Sequence, residues 1–249
     1  MTEIASHRGG ALLWAENSRL AFEQTARLPV EQVEFDVHPS RDGRLVVIHD
    51  ATLERTTDGA GAVCQHDWAE LSRLILKGSG GQRMLLLDEV IEIFRPTSII
   101  LRLEMKAGPN RVPYPDHPAR IVAALRAGGH PRAHGDDQLP ARHRGRGAAP
   151  RHADAPCLAG DARDPGRYRP RGGDRPCAQA DGVPMLGLRG NVLDAATVAK
   201  VRQAGLGIGG WACNDAAAIA KMFDLGVDVF TTDRPDLALE TRAGRQPRA

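Results

Sequence analysis

The chain has 249 residues, a formal net charge of +2 and hydrophobic residues at 42% of positions. A charge this close to neutral excludes binding to nucleic acid or an anionic membrane surface by bulk electrostatics. No run of about 18 apolar residues is present, which excludes an ordinary membrane-spanning helix, and the length suits one barrel or two small domains.

The start, Met1-Thr2-Glu3-Ile4, runs straight into a strand with no basic and then apolar leader, so a cytoplasmic location is expected. Cys64, Cys157, Cys177 and Cys213 form no CxxC pair and no dense framework, which predicts reduced thiols and no zinc site.

The first strand is predicted at about 3–6 and ends in His7-Arg8-Gly9. Glu16-Asn17-Ser18 then opens a helix near 18–27, with Ser18 as its N-cap. Strand two, about 31–37, reads Gln32-Val33-Glu34-Phe35-Asp36-Val37, and a period of two sends Glu34 and Asp36 out of one face. Two adjacent acids repel, and desolvating both is costly unless a cation lies between them. Strand three, about 44–49, ends in His49-Asp50. Residues 51–83 form a polar, glycine-bearing excursion, read as a small lid over the site. A helix follows at 85–94, then strand four at about 98–104, whose end carries Glu104 and Lys106 at i and i+2. Residues 116–127 form another helix, with Ile121, Val122 and Leu125 on one face.

From 128 to 182 the pattern stops. Leu139, Leu158 and Tyr168 are its large apolar residues, and Ile, Phe, Trp, Lys, Glu, Ser and Thr are missing from it. Neither a period of two nor one of 3.6 runs through it, so an irregular segment is expected here. Gly, Ala, Pro and Arg dominate, which points to a shifted reading frame in GC-rich DNA; natural disorder is the rival explanation. Beyond Val183-Pro184-Met185-Leu186, a helix is predicted at 194–204 with Asp194 as N-cap. A strand follows at 207–211, a helix at 216–225 ended by Gly226, and a last strand at 227–231. Strands that deliver polar residues at their C-terminal ends are how a parallel α/β barrel builds an active site.

The motifs His7-Arg8-Gly9, Glu16-Asn17, Glu34-x-Asp36, Asp42-Gly43, His49-Asp50, Leu53-x-Arg55-Thr56-Thr57, Glu104-x-Lys106, Trp211-x-x-Asn214 and Thr232-Asp233-Arg234-Pro235 resemble the glycerophosphodiester phosphodiesterase family in order and spacing. The resemblance covers roughly 3–126 and 185–238. It implies a single (β/α)8 TIM-type barrel domain over 1–249, with an insertion after strand three, and metal-dependent hydrolysis of glycerophosphodiesters to sn-glycerol 3-phosphate and an alcohol.

On this resemblance Glu34, Asp36 and Glu104 hold one divalent cation, and three hard oxygen ligands favour Mg²⁺ or Ca²⁺. His7 and His49 are the acid and base, in an order the sequence leaves open. They are expected to close strands one and three on either side of strand two. Arg8 and Lys106 bind the substrate phosphate. Glu16 is either a site-lining acid or a helix N-terminal charge, and Trp211 either a pocket wall or a core residue; the resemblance puts both in the substrate pocket. Ala15 stands where the family has proline, and Ser18 where it has threonine. Asp233-Arg234-Pro235 is expected to fix the last turn of the barrel. The expected partner is a small-molecule glycerophosphodiester. Two rival readings are a phospholipase-D-like enzyme on lysolipids and a non-catalytic remnant whose middle segment is frameshifted.

Overall fold

The computed structural model describes residues 1–128, 177–178 and 184–245. Its elements run β1 (Glu3–His7), α1 (Arg19–Thr25), β2 (Gln32–Pro39), β3 (Leu45–Val47), α2 (Trp68–Leu71), β4 (Leu85–Leu86), α3 (Leu87–Phe94), β5 (Ile100–Met105) and α4 (His117–Gly128). They continue with β6 (Cys177–Ala178), β7 (Pro184–Arg189), α5 (Ala195–Gln203), β8 (Gly207–Trp211), α6 (Ala216–Leu225), β9 (Val229–Thr232) and α7 (Pro235–Ala243).

The fold is that of a (β/α)8-type barrel. Among the described residues six strands pair in parallel in the order β5-β2-β1-β9-β8-β7. First and last strands therefore lie side by side, and the C-terminal ends of all six open on one face. The expected irregular segment at 128–182 lies outside the described residues, apart from Gly128 and β6.

One expectation about strand order is corrected. Strand β3 is not a barrel strand: it runs antiparallel to β2, with Val37 opposite Val47, and pairs onward with β4. The parallel neighbour of β2 on its other edge is β5, with Asp36 opposite Glu104. A hairpin turn at Ser40–Gly43 makes this reversal. Gly43 takes φ +82°, a backbone conformation that favours glycine, and its N–H donates to the carbonyl of Ser40. The predicted helix at 85–94 likewise begins as the two-residue strand β4.

Every residue of β2 is buried, and its two faces do different work. Val33, Phe35 and Val37 point outward into the main core. There Phe22 of α1 meets Phe35 edge-to-face at 5.7 Å and Phe94 of α3 at 5.9 Å. Each such buried ring contributes about 1.5–3 kcal/mol. The same packing turns Glu34, Asp36 and His38 toward the barrel interior, because side chains alternate along a strand.

Ser18, Asp194 and Gly226 mark helix ends as the sequence predicts, and Asp215 adds a cap of the same kind. Ser18, Asp194 and Asp215 accept backbone N–H groups at the starts of α1, α5 and α6, and Gly226 closes α6 at φ +59°. Helix α7 was not predicted; Pro235 at its first turn and few apolar positions give it a weak signal.

The 51–83 excursion is a packed insertion rather than a bare polar loop. Leu53, Val63, Leu71 and Leu76 join Val46, Ile48, Met84 and Leu86 in a second core of its own. It is seated on the antiparallel β3–β4 pair.

Candidate active site

Three carboxylates converge at the C-terminal ends of β2 and β5. One oxygen each from Glu34, Asp36 and Glu104 lies within 4.8 Å of the others, the one such acidic group among the described residues. Asp36 is fully buried and Glu34 nearly so. Glu34 Oε2 is buried without a hydrogen-bond partner, with His7 Nε2 3.6 Å away. Burial and the Asp36 charge push Glu34 up to about 7. Burial also opposes charge on Asp36, yet Lys106 and Arg8 outweigh it and hold that carboxyl below the usual range. A partnerless buried oxygen and a carboxyl forced toward neutrality are what a hard-cation site shows without its ion. The residues thus fit a divalent cation with oxygen ligands.

Two cations lean on this cluster. Arg8 Nε lies 3.1 Å from Asp36 Oδ2, and Lys106 Nζ lies 3.0 Å from Asp36 Oδ1 and 2.7 Å from Glu104 Oε1. Burial works against the Lys106 charge, but Asp36 and Glu104 raise its pKa.

The two candidate histidines are held alike and titrate apart. His7 Nδ1 faces Asp233 Oδ1 at 2.5 Å, and Asp233 is fixed in turn by Asn214 Nδ2 at 2.5 Å. His49 Nδ1 faces Asp50 Oδ1 at 2.6 Å. A carboxylate on Nδ1 fixes the tautomer and leaves Nε2 free to exchange a proton. Burial disfavours the charged form of His7, but Asp233 and Glu34 outweigh it, and its pKa is raised. For His49, burial together with Arg8 and Lys106 outweighs Asp36 and Asp50, and its pKa is lowered.

Arg55 braces the carboxylate on the His49 side. Its guanidinium bonds both oxygens of Asp50, at 2.6 and 3.1 Å, and both of Glu16, at 2.8 Å each. Asp50, opposed by burial but held by Arg55 and His49, falls to about 2. Its charge is therefore shared between His49 and Arg55; the Asp233 carboxyl, opposed by burial, is held below the usual range by His7, Asn214 and the Arg8 charge.

Glu16 also receives Arg8 NH1 at 3.2 Å, so it anchors two arginines. Trp211 ends β8, half-buried, with the Arg189 guanidinium 5.6 Å from its ring centre. The structure thus brings His7, Arg8, Glu16, Glu34, Asp36, His49, Glu104 and Lys106 into one linked cluster, and leaves Trp211 on a neighbouring strand.

Four residues escaped the sequence reading. Asp233, expected only to fix a turn, is the carboxylate of His7. Arg55 and Asp50 stand in motifs that carried no assigned role. His38 continues the row of Glu34 and Asp36 by the same period of two, a signal that was present. Burial lowers its pKa to about 4.

Comparison with known proteins bears on the family and the fold. Residues 7–121 match the model of the glycerophosphoryl diester phosphodiesterase family. A glycerophosphodiester phosphodiesterase of Caldanaerobacter subterraneus subsp. tengcongensis is 34% identical over 130 residues, which is 50% of this chain and 53% of that protein. One from Bacillus altitudinis is 35% identical over 119 residues, 45% of this chain and 49% of that protein. The chain spans about half the length of these curated relatives in the match. A crystal structure from Agrobacterium tumefaciens, assigned to the same phosphodiesterases, superposes with a TM-score of 0.79 at 28% identity, covering 98% of both chains. An Oleispira antarctica phosphodiesterase, solved with the product sn-glycerol-3-phosphate, shares the fold at a TM-score of 0.72 and 21% identity, over 98% of this chain and 97% of that one.

Proposed function

From the premise that this chain belongs to the glycerophosphoryl diester phosphodiesterase family, we propose that it hydrolyses glycerophosphodiesters to sn-glycerol 3-phosphate and an alcohol. The observation that carries the reading is the convergence of two oriented imidazoles and two cations on Glu34, Asp36 and Glu104.

Glu34, Asp36 and Glu104 would hold one divalent cation, Mg²⁺ or Ca²⁺ by the hardness of the donors. When bound, such an ion supplies Lewis-acid polarisation of a phosphoryl oxygen. Arg8 and Lys106 neutralise charge on the phosphoryl oxygens, a term worth about 2–4 kcal/mol per group. His49, its pKa lowered, takes the proton from the nucleophile, which is water directly or a neighbouring substrate hydroxyl. In the second case the alcohol leaves behind a cyclic phosphate, which a water molecule then opens to sn-glycerol 3-phosphate. His7, whose pKa is raised, returns a proton to the departing alkoxide from Nε2. Glu16 and Trp211 line the approach for the glycerol and alcohol parts.

The test is a panel of glycerophosphodiesters followed by phosphorus NMR. Release of sn-glycerol 3-phosphate, from glycerophosphocholine among others, is the expected result. Hydrolysis confined to phosphomonoesters, or release of phosphocholine in place of choline, contradicts it.

A further inference from the structure

His38 takes no part in the chemistry above, yet it is buried beside it, at 1% exposure. It follows Asp36 by two residues on β2 and shares its inward face. Both ring nitrogens are engaged. Nε2 lies 3.0 Å from the main-chain carbonyl oxygen of His49, and Nδ1 lies 3.0 Å from the Tyr114 hydroxyl. A carbonyl can only accept, so Nε2 carries the proton; Nδ1 is then an acceptor and Tyr114 donates to it.

These two bonds join three elements of the site. His49 stands just beyond β3, where the backbone is already held on one side by Ile48 N–H donating to the carbonyl of Asp36 at 3.0 Å. His38 holds the next carbonyl. Tyr114 lies in the loop that leaves β5 after Glu104 and Lys106, and its ring stacks edge-on between His38 at 5.7 Å and His117 at 5.5 Å. Gly108 makes room for that ring, since a Cβ there would stand 3.0 Å from Tyr114 Cε1. His117 closes the set by donating from Nε2 to the carbonyl of Val37 on β2 at 3.1 Å.

We propose that His38 is a positioning residue for His49: its Nε2–H pins the His49 backbone, and through Tyr114 it ties that histidine to the loop carrying Lys106. Asp50 orients the His49 ring, but a ring turns about a Cα, and Asp50 moves with the same loop. His38 supplies the reference to the rigid barrel strand. A displacement of about 1 Å at a reacting group costs roughly 10²-fold in rate, which is the scale at stake. The role rests on the reading of His49 as the proton acceptor.

The experiment compares His38→Leu, His38→Gln and Tyr114→Phe in the full chain with saturating Mg²⁺. Glutamine places an amide N–H near the position of Nε2–H and keeps the bond to His49; leucine removes it. For His38→Leu we expect kcat on glycerophosphocholine about 10²-fold lower, with KM and calorimetric Mg²⁺ affinity within about threefold of wild type. His38→Gln should recover kcat to within about tenfold, and Tyr114→Phe should fall between the two. Wild-type kcat in His38→Leu overturns the proposal. So does equal loss in His38→Gln, or loss of Mg²⁺ affinity in step with kcat, since each points to general disruption of β2. Amide hydrogen exchange across residues 47–51 gives a readout independent of turnover. If the wild-type chain proves inactive on every glycerophosphodiester, the functional reading fails while exchange still decides this one. Faster exchange in His38→Leu, with His38→Gln like wild type, supports the pin; equal exchange in all three overturns it.

Discussion

Asp233 Oδ1 lies 2.5 Å from His7 Nδ1, although 226 residues separate the two. The contact exists because β1 and β9 pair in parallel, with Ser6 opposite Thr232, so their C-terminal ends meet. It makes Asp233 the group that fixes the His7 tautomer. Asp233→Asn should therefore lower kcat by about 10²-fold, part of what a general acid contributes. KM should change little. Wild-type turnover in steady-state assays of that variant would show that His7 needs no carboxylate.

The acidic cluster predicts a stability response to cations. Any ion that binds the folded chain alone stabilises it, by about 2.7 kcal/mol at a hundredfold excess over Kd. Adding Mg²⁺ or Ca²⁺ should raise the melting temperature. Glu34→Ala, Asp36→Ala and Glu104→Ala should each abolish the rise, while His49→Ala keeps it. Differential scanning calorimetry reads this directly, and a normal rise in Asp36→Ala would dismantle the ligand set.

The pH dependence follows from the two histidines. His49, with its pKa lowered, must be deprotonated to accept a proton, so kcat/KM should rise with pH through a midpoint below 6.5. His7, with its pKa raised, must stay protonated, so the alkaline limb should fall above 6.5. Removing Arg55 leaves the full Asp50 charge on His49 and favours its protonated form. Arg55→Ala should move the acid limb to higher pH, by less than about one unit at this partly exposed pair. A shift to lower pH would contradict the account of Asp50.

The turn after β1 requires glycine. Gly9 takes φ +81°, and a Cβ there would stand 2.7 Å from the Cβ of Ala21 on α1. Gly9→Ala should cost about 1–3 kcal/mol in urea denaturation, from backbone strain and displacement of α1 together. A loss below about 0.5 kcal/mol would mean that the loop shifts freely.

Much of this was legible in the sequence. The period of two in Gln32–Val37 placed Glu34 and Asp36 on one face, and the apolar run before Glu104 placed it at a strand end. Ser18, Asp194 and Gly226 marked helix ends because their chemistry is local. The direction of β3 was misread, since a short apolar run looks the same parallel or antiparallel. The signal lies in Asp42-Gly43, a hairpin pair that an apolar pattern does not register. The second core was missed because Leu53, Val63, Leu71 and Leu76 follow no period. Contacts such as His7–Asp233 depend on barrel closure, which no local pattern encodes.

The central claim is that the carboxylate cluster and the two histidines serve cation-dependent cleavage of a glycerophosphodiester. The most direct test is release of sn-glycerol 3-phosphate from glycerophosphocholine before chelation, after exhaustive EDTA treatment, and after return of Mg²⁺ or Ca²⁺. The account predicts activity that disappears with EDTA and returns with either ion. Full activity in the chelated protein, or none in the cation-loaded protein, would contradict it.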